Sequence, residues 1–358
     1  MTTHASDPAP EVGTSITVAE YLGLLPKVEL HCHFPGTIAA TTAIELAAKH
    51  GLDLPTTDPD ELYSYDDIVG FLTVLQAVGA TLVDREDFAR VAYETLAEGV
   101  TKGNLRYREM FFNPDYHTPQ GVTYETMVTG MADGIARAFD EFGVRCNLIA
   151  AISRFHGPAA AVDMVRTVLD QPHPLVIGIG MDDLTPEGLE APETFVEAYT
   201  LATTNGLRAT GHVAEIIGAP ADHILVALDV LGCERIDHGY RILEDPAIVE
   251  RARADQIHFT TCPHSSAWVY GFSFEDHPVK DMVARGLKVS LNSDDPPCFH
   301  TDIGREFTIA VPAMGFSTEQ AAQFCLDAVE GSWLPDADKT VLRAEFVAEI
   351  AALSARLA

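Results

Sequence analysis

The chain has 358 residues and is 47% hydrophobic, a length and composition that suit one α/β barrel with insertions and a large buried core. It carries 53 acidic against 23 basic residues, a formal charge of -30. That balance excludes nucleic acid and anionic membrane surfaces as expected partners, because both require positive potential, and it discourages a polyphosphate substrate.

In chain order, residues 1–16 read as a polar tail with Pro, Ser and Thr and no periodicity. They have neither the basic start nor the apolar stretch of a signal peptide. Residues 17–358 are expected to form a single domain, since no linker, charge block or low-complexity stretch divides them. A short β-rich apolar run followed by a helical pattern recurs along this region. The candidate strands are 28–33, 106–112, 146–152, 175–181, 207–212, 235–238, 257–261 and 288–292. Between them lie patterns such as YETMVTGMADGIARAFDEFG and APETFVEAYTLATTNG, the second ending on an Asn-Gly stop. Strands alternating with helices imply a parallel sheet, and eight of them with chemistry at their C-terminal ends imply a closed (β/α)8 TIM barrel. An open doubly wound sheet is the rival, but no GxGxxG turn opens a helix here. The long segment between the first two strands, 37–103, contains SYDDIVGFLTVLQAVGATL. It reads equally as a surface helix packed on the barrel or as a lid over a pocket.

The six cysteines are Cys32, Cys146, Cys233, Cys262, Cys298 and Cys325, far apart and without a CxxC pair. They are expected to be buried free thiols in a reducing compartment. With no apolar stretch long enough to span a bilayer, a cytoplasmic protein is expected.

Histidines and carboxylates cluster at the ends of the predicted strands. His31 and His33 stand in KVELHCH, His212 and Glu215 in GHVAE, His238 in RIDHG, and Asp294 and Asp295 in LNSDDP. HxH on a strand places both imidazoles on one face, about 7 Å apart along the backbone, so both can reach one ion. Adding His212 and Asp294 gives three imidazoles and a carboxylate, a ligand set for zinc or a similar divalent ion. Glu215 reads either as an acid favoured at a helix start or as a proton donor with a pKa raised by burial. His238 either orients an attacking water or is a core histidine. Asp294 and Asp295 should diverge on a strand, so one can ligate while the other addresses substrate. There is no GxSxG elbow and no Walker loop. Of the other histidines, only His264 in TCPHSS stands near a motif.

The stretches KVELHCH with Gly36, GHVAE, ERIDHGYRILEDP, TCPHSS and LNSDDP, in this order, resemble the adenosine/adenine deaminase family of the amidohydrolase superfamily. YREMFFNPDYHTPQGV and VIGIGMDD extend the resemblance over residues 26–307 and bring it closer to the adenine deaminase branch. The resemblance implies one Zn2+ per chain, or another divalent transition metal, held by His31, His33, His212 and Asp294. It implies Glu215 as proton donor to ring N1, His238 as the residue orienting the hydroxide, and Asp295 as partner of ring N7. Asp295, Gly180 and Asp183 are the implied substrate-binding residues. Strand 4, PLVIGIGMDD, lacks the lysine that bridges two metals in binuclear members of the wider class, which favours one metal. The implied substrate is a small aminopurine, adenine or a related 6-aminopurine. A nucleoside deaminase, or a family member that binds without turnover, is the alternative. Homo-oligomerisation stays open.

Three departures bear on specificity. Phe34-Pro35-Gly36 follows HxH where the family has Leu, an acid and Gly, and in nucleoside-specific relatives that acid contacts the sugar 5'-hydroxyl. Met181-Asp182-Asp183-Leu184-Thr185 stands where the adenine branch has Ser-Ser-Glu after GLD. GHVAE replaces the commoner HAGE.

Overall fold

In a computed structural model, residues 14–358 are described. Parallel strands are β1 (Lys27–Glu29), β2 (Leu105–Phe112), β3 (Arg145–Ser153), β4 (Val176–Asp182), β5 (Arg208–Ala209), β6 (His212–Val213), β7 (Arg235–His238), β8 (His258–Thr261) and β9 (Lys288–Leu291). They form two arcs, β1 to β5 and β6 to β9. The predicted fifth strand is β5 and β6 together, interrupted at Thr210-Gly211. Thr210 N–H donates to Ile179 at 3.1 Å on the β4 side, and Gly211 accepts from Asp237 N–H at 3.1 Å on the β7 side. At the other seam, His33 N–H donates to Asp294 at 2.9 Å and Asp294 N–H to His31 at 3.3 Å. Hydrogen bonds therefore run round the ring, and the fold is the expected (β/α)8 barrel.

The helices follow from their caps and apolar stripes. Tyr124–Phe142 starts on Thr123, whose hydroxyl caps Thr126 N–H, and stops at Gly143 in the left-handed region at φ 71°. Its Met127, Met131, Ile135 and Ala138 are buried at helical spacing against Arg85–Gly103 and the sheet. A large hydrophobic core runs from Ile16 to Leu353, and a smaller cluster of Phe111, Ile149, Ala151 and Trp333 is separate from it.

The barrel interior below the site is charged and paired. Arg108 meets Glu29 at 2.6 Å, and Arg235 bonds Glu109, all four side chains being buried. Burying such pairs is costly and calls for further hydrogen bonds. Glu29 also accepts Ser293 N–H at 3.0 Å, and Arg235 donates to Leu30 at 3.2 Å. This layer thus grips the backbone just before Asp294 and His31.

Segment 37–103 divides between its two readings. Arg85–Gly103 is a surface helix packed on the barrel. The part from Tyr63 through helix Ile68–Gly79 leans across the mouth. Phe71 and Tyr65 meet Trp268 with ring centroids at 6.2 and 5.1 Å, and Phe71 meets Phe299 at 5.1 Å. Most of the expected tail, 1–13, lies outside the described residues. Within its last residues Ile16 is buried and pairs with the C-terminus, donating to Arg356 at 2.9 Å, so ordered structure begins before residue 17. All six cysteines are buried and unpaired. Among the described residues no helix is long and apolar enough to cross a membrane.

Candidate active site and metal centre

The four candidate ligands meet at the C-terminal end of the barrel. His33 Nε2 lies 3.3 Å from His31 Nε2 and 3.1 Å from His212 Nε2. Asp294 Oδ1 lies 3.2 Å from His31 Nε2 and 3.3 Å from His33 Nε2. A tetrahedral ion with bonds of about 2.0–2.1 Å would separate its ligand atoms by roughly 3.3 Å. Imidazole lone pairs crowd together this closely only around a shared cation or proton. His238 also comes within 4.8 Å of His31, His212 and Asp294, and Asp295 comes as near His33 and Asp294. Four contacts of 3.1–3.3 Å tie His31, His33, His212 and Asp294 together, while His238 turns Nε2 toward Glu215 at 3.5 Å.

Hydrogen bonds behind the rings leave the ligand atoms free. Thr260 Oγ1 donates to Asp237 Oδ1 at 2.8 Å and lies 3.0 Å from His31 Nδ1. A hydroxyl has one proton, so Nδ1 must be the donor in that second bond, which makes Nε2 the lone-pair nitrogen. Asp237 is fully buried and its Oδ2 lies 3.7 Å from His212 Nδ1, an atom with no hydrogen-bond partner. Burial holds His31 and His212 below the usual imidazole range. Burial also presses on His33, but Asp182 and Asp294 outweigh it and raise its pKa well above that range. Asp294 is held well below the usual carboxylate range because His31 and His33 overcome its burial.

Glu215 is lodged beside His238. Tyr270, at the end of helix Pro263–Tyr270, donates to Glu215 Oε1 at 2.8 Å. Burial, reinforced by the Asp294 charge, pushes its pKa up to about 8. The turn carrying it is held by Glu190, which accepts N–H bonds from Ala214, Glu215 and Ile216 at 2.7, 2.8 and 3.1 Å. His238 sits at φ 63° and Asp294 at φ 62°, both in the left-handed region. These conformations break strand alternation, so Asp237 and His238 both serve the cluster, and Asp294 and Asp295, expected to diverge, both turn inward.

Asp295 is buried, its Oδ1 has no partner, and its pKa is raised to about 8 by burial. A buried polar atom without a partner marks a place for a ligand atom. It fits only because residue 36 is glycine, where a Cβ would stand 1.7 Å from Asp295 Oδ1.

The other two expected substrate contacts have protein neighbours of their own. A Cβ on Gly180 would stand 2.6 Å from Phe111, whose ring stacks on His33 at 5.0 Å. Gly180 makes room for that ring and packs the floor of the site. Asp183 accepts from Tyr116 at 2.7 Å and from Ser153, so its Oδ2 is occupied by the protein. Its neighbour Asp182 faces the cluster, with Oδ2 3.5 Å from His33 Nδ1 and Asn113 on both oxygens. At φ 56° Asp183 has left the strand, so the alternation that would bring it inward no longer applies. His264 pairs with buried Glu306 at 2.8 Å. Asp237, Thr260, Asp182, Tyr270 and Glu190 were assigned no role from sequence. Asp237, the residue before His238, and Asp182, the residue before Asp183, carried a signal as parts of strand-end motifs.

A family model described as adenosine deaminase matches residues 26–349. The chain belongs to the adenosine deaminase family. It is a deaminase, a hydrolytic enzyme. The deaminase is 35% identical over 335 residues to the adenine deaminase of Streptomyces coelicolor, covering 92% of this chain and 95% of the relative. It is 31% identical to the adenine deaminase of Ralstonia nicotianae, covering 91% and 95%. The crystal structure of an adenine deaminase from Arthrobacter aurescens superimposes with a TM-score of 0.85 at 34% identity, covering 91% of this chain and 99% of that one. An amidohydrolase from Burkhoderia ambifaria with bound Zn superimposes with a TM-score of 0.87 at 32% identity, covering 97% of each chain.

Proposed function

We propose that this deaminase hydrolyses the exocyclic amine of an aminopurine, adenine or a related 6-aminopurine, releasing ammonia and the oxopurine, with one zinc ion per chain. The observation that carries the reading is a pair of acids, part-buried Glu215 beside His238 and buried Asp295 beside His33, flanking one imidazole cluster. Both are pushed up to about 8, so both hold protons at neutral pH. His31, His33, His212 and Asp294 would hold the metal, and their donor set suits zinc. Zinc, when bound, supplies a Lewis acid able to generate a hydroxide nucleophile near neutral pH.

The chain's own groups would do the rest. Glu215 delivers its proton to ring N1, relieving the charge that addition to the amino-bearing carbon would place on the ring. His238, kept neutral by burial, orients the attacking oxygen and can take a proton from it. Asp295 addresses ring N7 with its unpartnered Oδ1. The chain's likeness to adenine deaminases supports a free base as substrate. Pro35 supports it too, because a buried proline cannot supply a carboxylate to a sugar 5'-hydroxyl. A hydrogen bond to a charged group contributes about 1.5–3 kcal/mol, or roughly one to two orders of magnitude in kcat/KM.

An ammonia-release assay over adenine, adenosine and substituted adenines tests this. Adenine or a substituted adenine should lead. A tenfold lead for adenosine overturns the free-base reading, and no ammonia from any member of the set overturns the activity and leaves a ligand-binding role.

A further inference from the structure

The buried carboxylate of Glu190 lies in the loop after β4, yet it is bound to the turn that carries Glu215 and to His223. Its Oε1 accepts Glu215 N–H at 2.8 Å and Ile216 N–H at 3.1 Å. Its Oε2 accepts Ala214 N–H at 2.7 Å and lies 2.7 Å from His223 Nδ1. Three consecutive amides pointing at one anion make a nest, a backbone shape that persists where a negative charge fills it. The chain is bent on both sides of the contact, with Ala214 at φ 52° and Ala191 at φ 39°. Non-glycine residues hold such angles only when their surroundings enforce them. Arg154, also buried, donates to the carbonyl of Asp183 at 2.9 Å and to that of His212, which ties the same two loops together from beneath.

We propose that Glu190 is a positioning residue for Glu215: its carboxylate fixes the 214–216 turn and so aims the Glu215 carboxyl at the substrate ring. The proposal rests on the reading of Glu215 as proton donor. Glu190 touches neither the metal ligands nor the ring and acts only through the turn and through its charge. Glu215 is faced by Tyr270 and His238, and by the charges of Asp294, His31 and Glu190. Glu190 in turn is faced by His223 and Arg154, whose attraction, with the amide bonds, outweighs its burial and keeps it ionised. The Glu190 charge is one of the influences that raise the Glu215 pKa.

Two variants separate position from charge. Glu190→Gln removes the charge and sets an NH2 group against one of the three amides. Glu190→Asp keeps the charge but is one methylene short of the nest. In zinc-loaded enzyme both should lower kcat by about 10- to 100-fold, the loss expected for a misplaced catalytic group, with KM little changed. The carbon-13 carboxyl signal of Glu215, followed against pH in metal-free protein, should titrate at lower pH in Glu190→Gln and near its original pH in Glu190→Asp. A lowered Tm with unchanged kcat per zinc-loaded molecule, or an unmoved Glu215 titration in Glu190→Gln, overturns the proposal. Should Glu190→Gln not fold, Glu190→Asp carries the kcat test alone. Wild-type enzyme that releases no ammonia from any aminopurine refutes the reading of Glu215 instead, and the titration still judges the influence of Glu190.

Discussion

At the scale of single residues, the protonation of Glu215 is the sharpest consequence of the site. A carboxyl near 8 is protonated at pH 7 and loses its proton as pH rises, so the acid form is present below about 8 and lost above it. Asp295, raised to about 8, follows the same sign. The plot of kcat/KM against pH should therefore fall on its alkaline side near pH 8. A flat profile to pH 10 would show that neither proton is used. Glu215→Gln should keep one metal per chain and lower kcat by about 10²–10⁴, because the amide fills the same space and delivers no proton. Near-normal kcat in that variant would show that no proton from Glu215 is used. Much of this was legible in the sequence, since His31, His33, His212, Glu215, His238, Asp294 and Asp295 all fall at strand ends and meet in space. What it hid was the support. Asp237 and Thr260 fix the His31 tautomer across strands far apart in sequence, and no local pattern announces that. The exchange of Asp183 for Asp182 at the cluster turned on a single left-handed residue.

At the scale of elements, all eight barrel strands were legible from apolar runs between helical patterns. Their edges were less so. The first strand shortens to Lys27–Glu29, with Cys32 and His33 held by isolated parallel bridges, and the fifth breaks at Thr210-Gly211 just before His212. After β1, Pro35 opens a tight 3-10 turn and Gly36 leaves space for Asp295. Glycine's missing Cβ is what lets two strand ends approach so closely. Gly36→Ala would set a methyl 2.5 Å from Asp295 Cβ and 1.7 Å from its Oδ1, so Asp295 must move. Overpacking of this kind costs about 1–3 kcal/mol, and a 1 Å misplacement costs about 10² in rate. The expected result is a lowered Tm and a loss of kcat, with metal content unchanged. Wild-type kcat would show that Asp295 has no fixed place in the reaction. Segment 37–103 could not be resolved from periodicity alone, because surface helix and lid share the same amphipathic stripe. Only the ring contacts of Tyr65 and Phe71 with Trp268 and Phe299 distinguish the part that crosses the mouth.

At the scale of the whole molecule, metal and charge set the conditions under which the barrel works. Four buried ligand atoms facing one another are poorly satisfied without a cation, so a metal bound only to the folded state should stabilise it. At a thousandfold excess over Kd that contribution is about 4 kcal/mol. Chelation should abolish turnover and lower Tm by several degrees, zinc should restore both, and elemental analysis should find one equivalent. Two equivalents, or full activity after rigorous chelation, would overturn the mononuclear mechanism. The net charge of -30 acts over a longer range. Acidic side chains repel one another across the surface, and at low salt, where the Debye length reaches about 30 Å, that repulsion opposes compactness. Raising the salt to about 1 M shortens it to about 3 Å, so Tm should climb with ionic strength. The same field separates substrates. Adenine is neutral at pH 7, and its KM should hardly move with salt. A nucleoside monophosphate carries negative charge toward a negative mouth, so any weak inhibition by it should strengthen as salt is added. A Tm that falls with salt, or a monophosphate that binds best at low salt, would mean that local cations outweigh the global charge at the mouth.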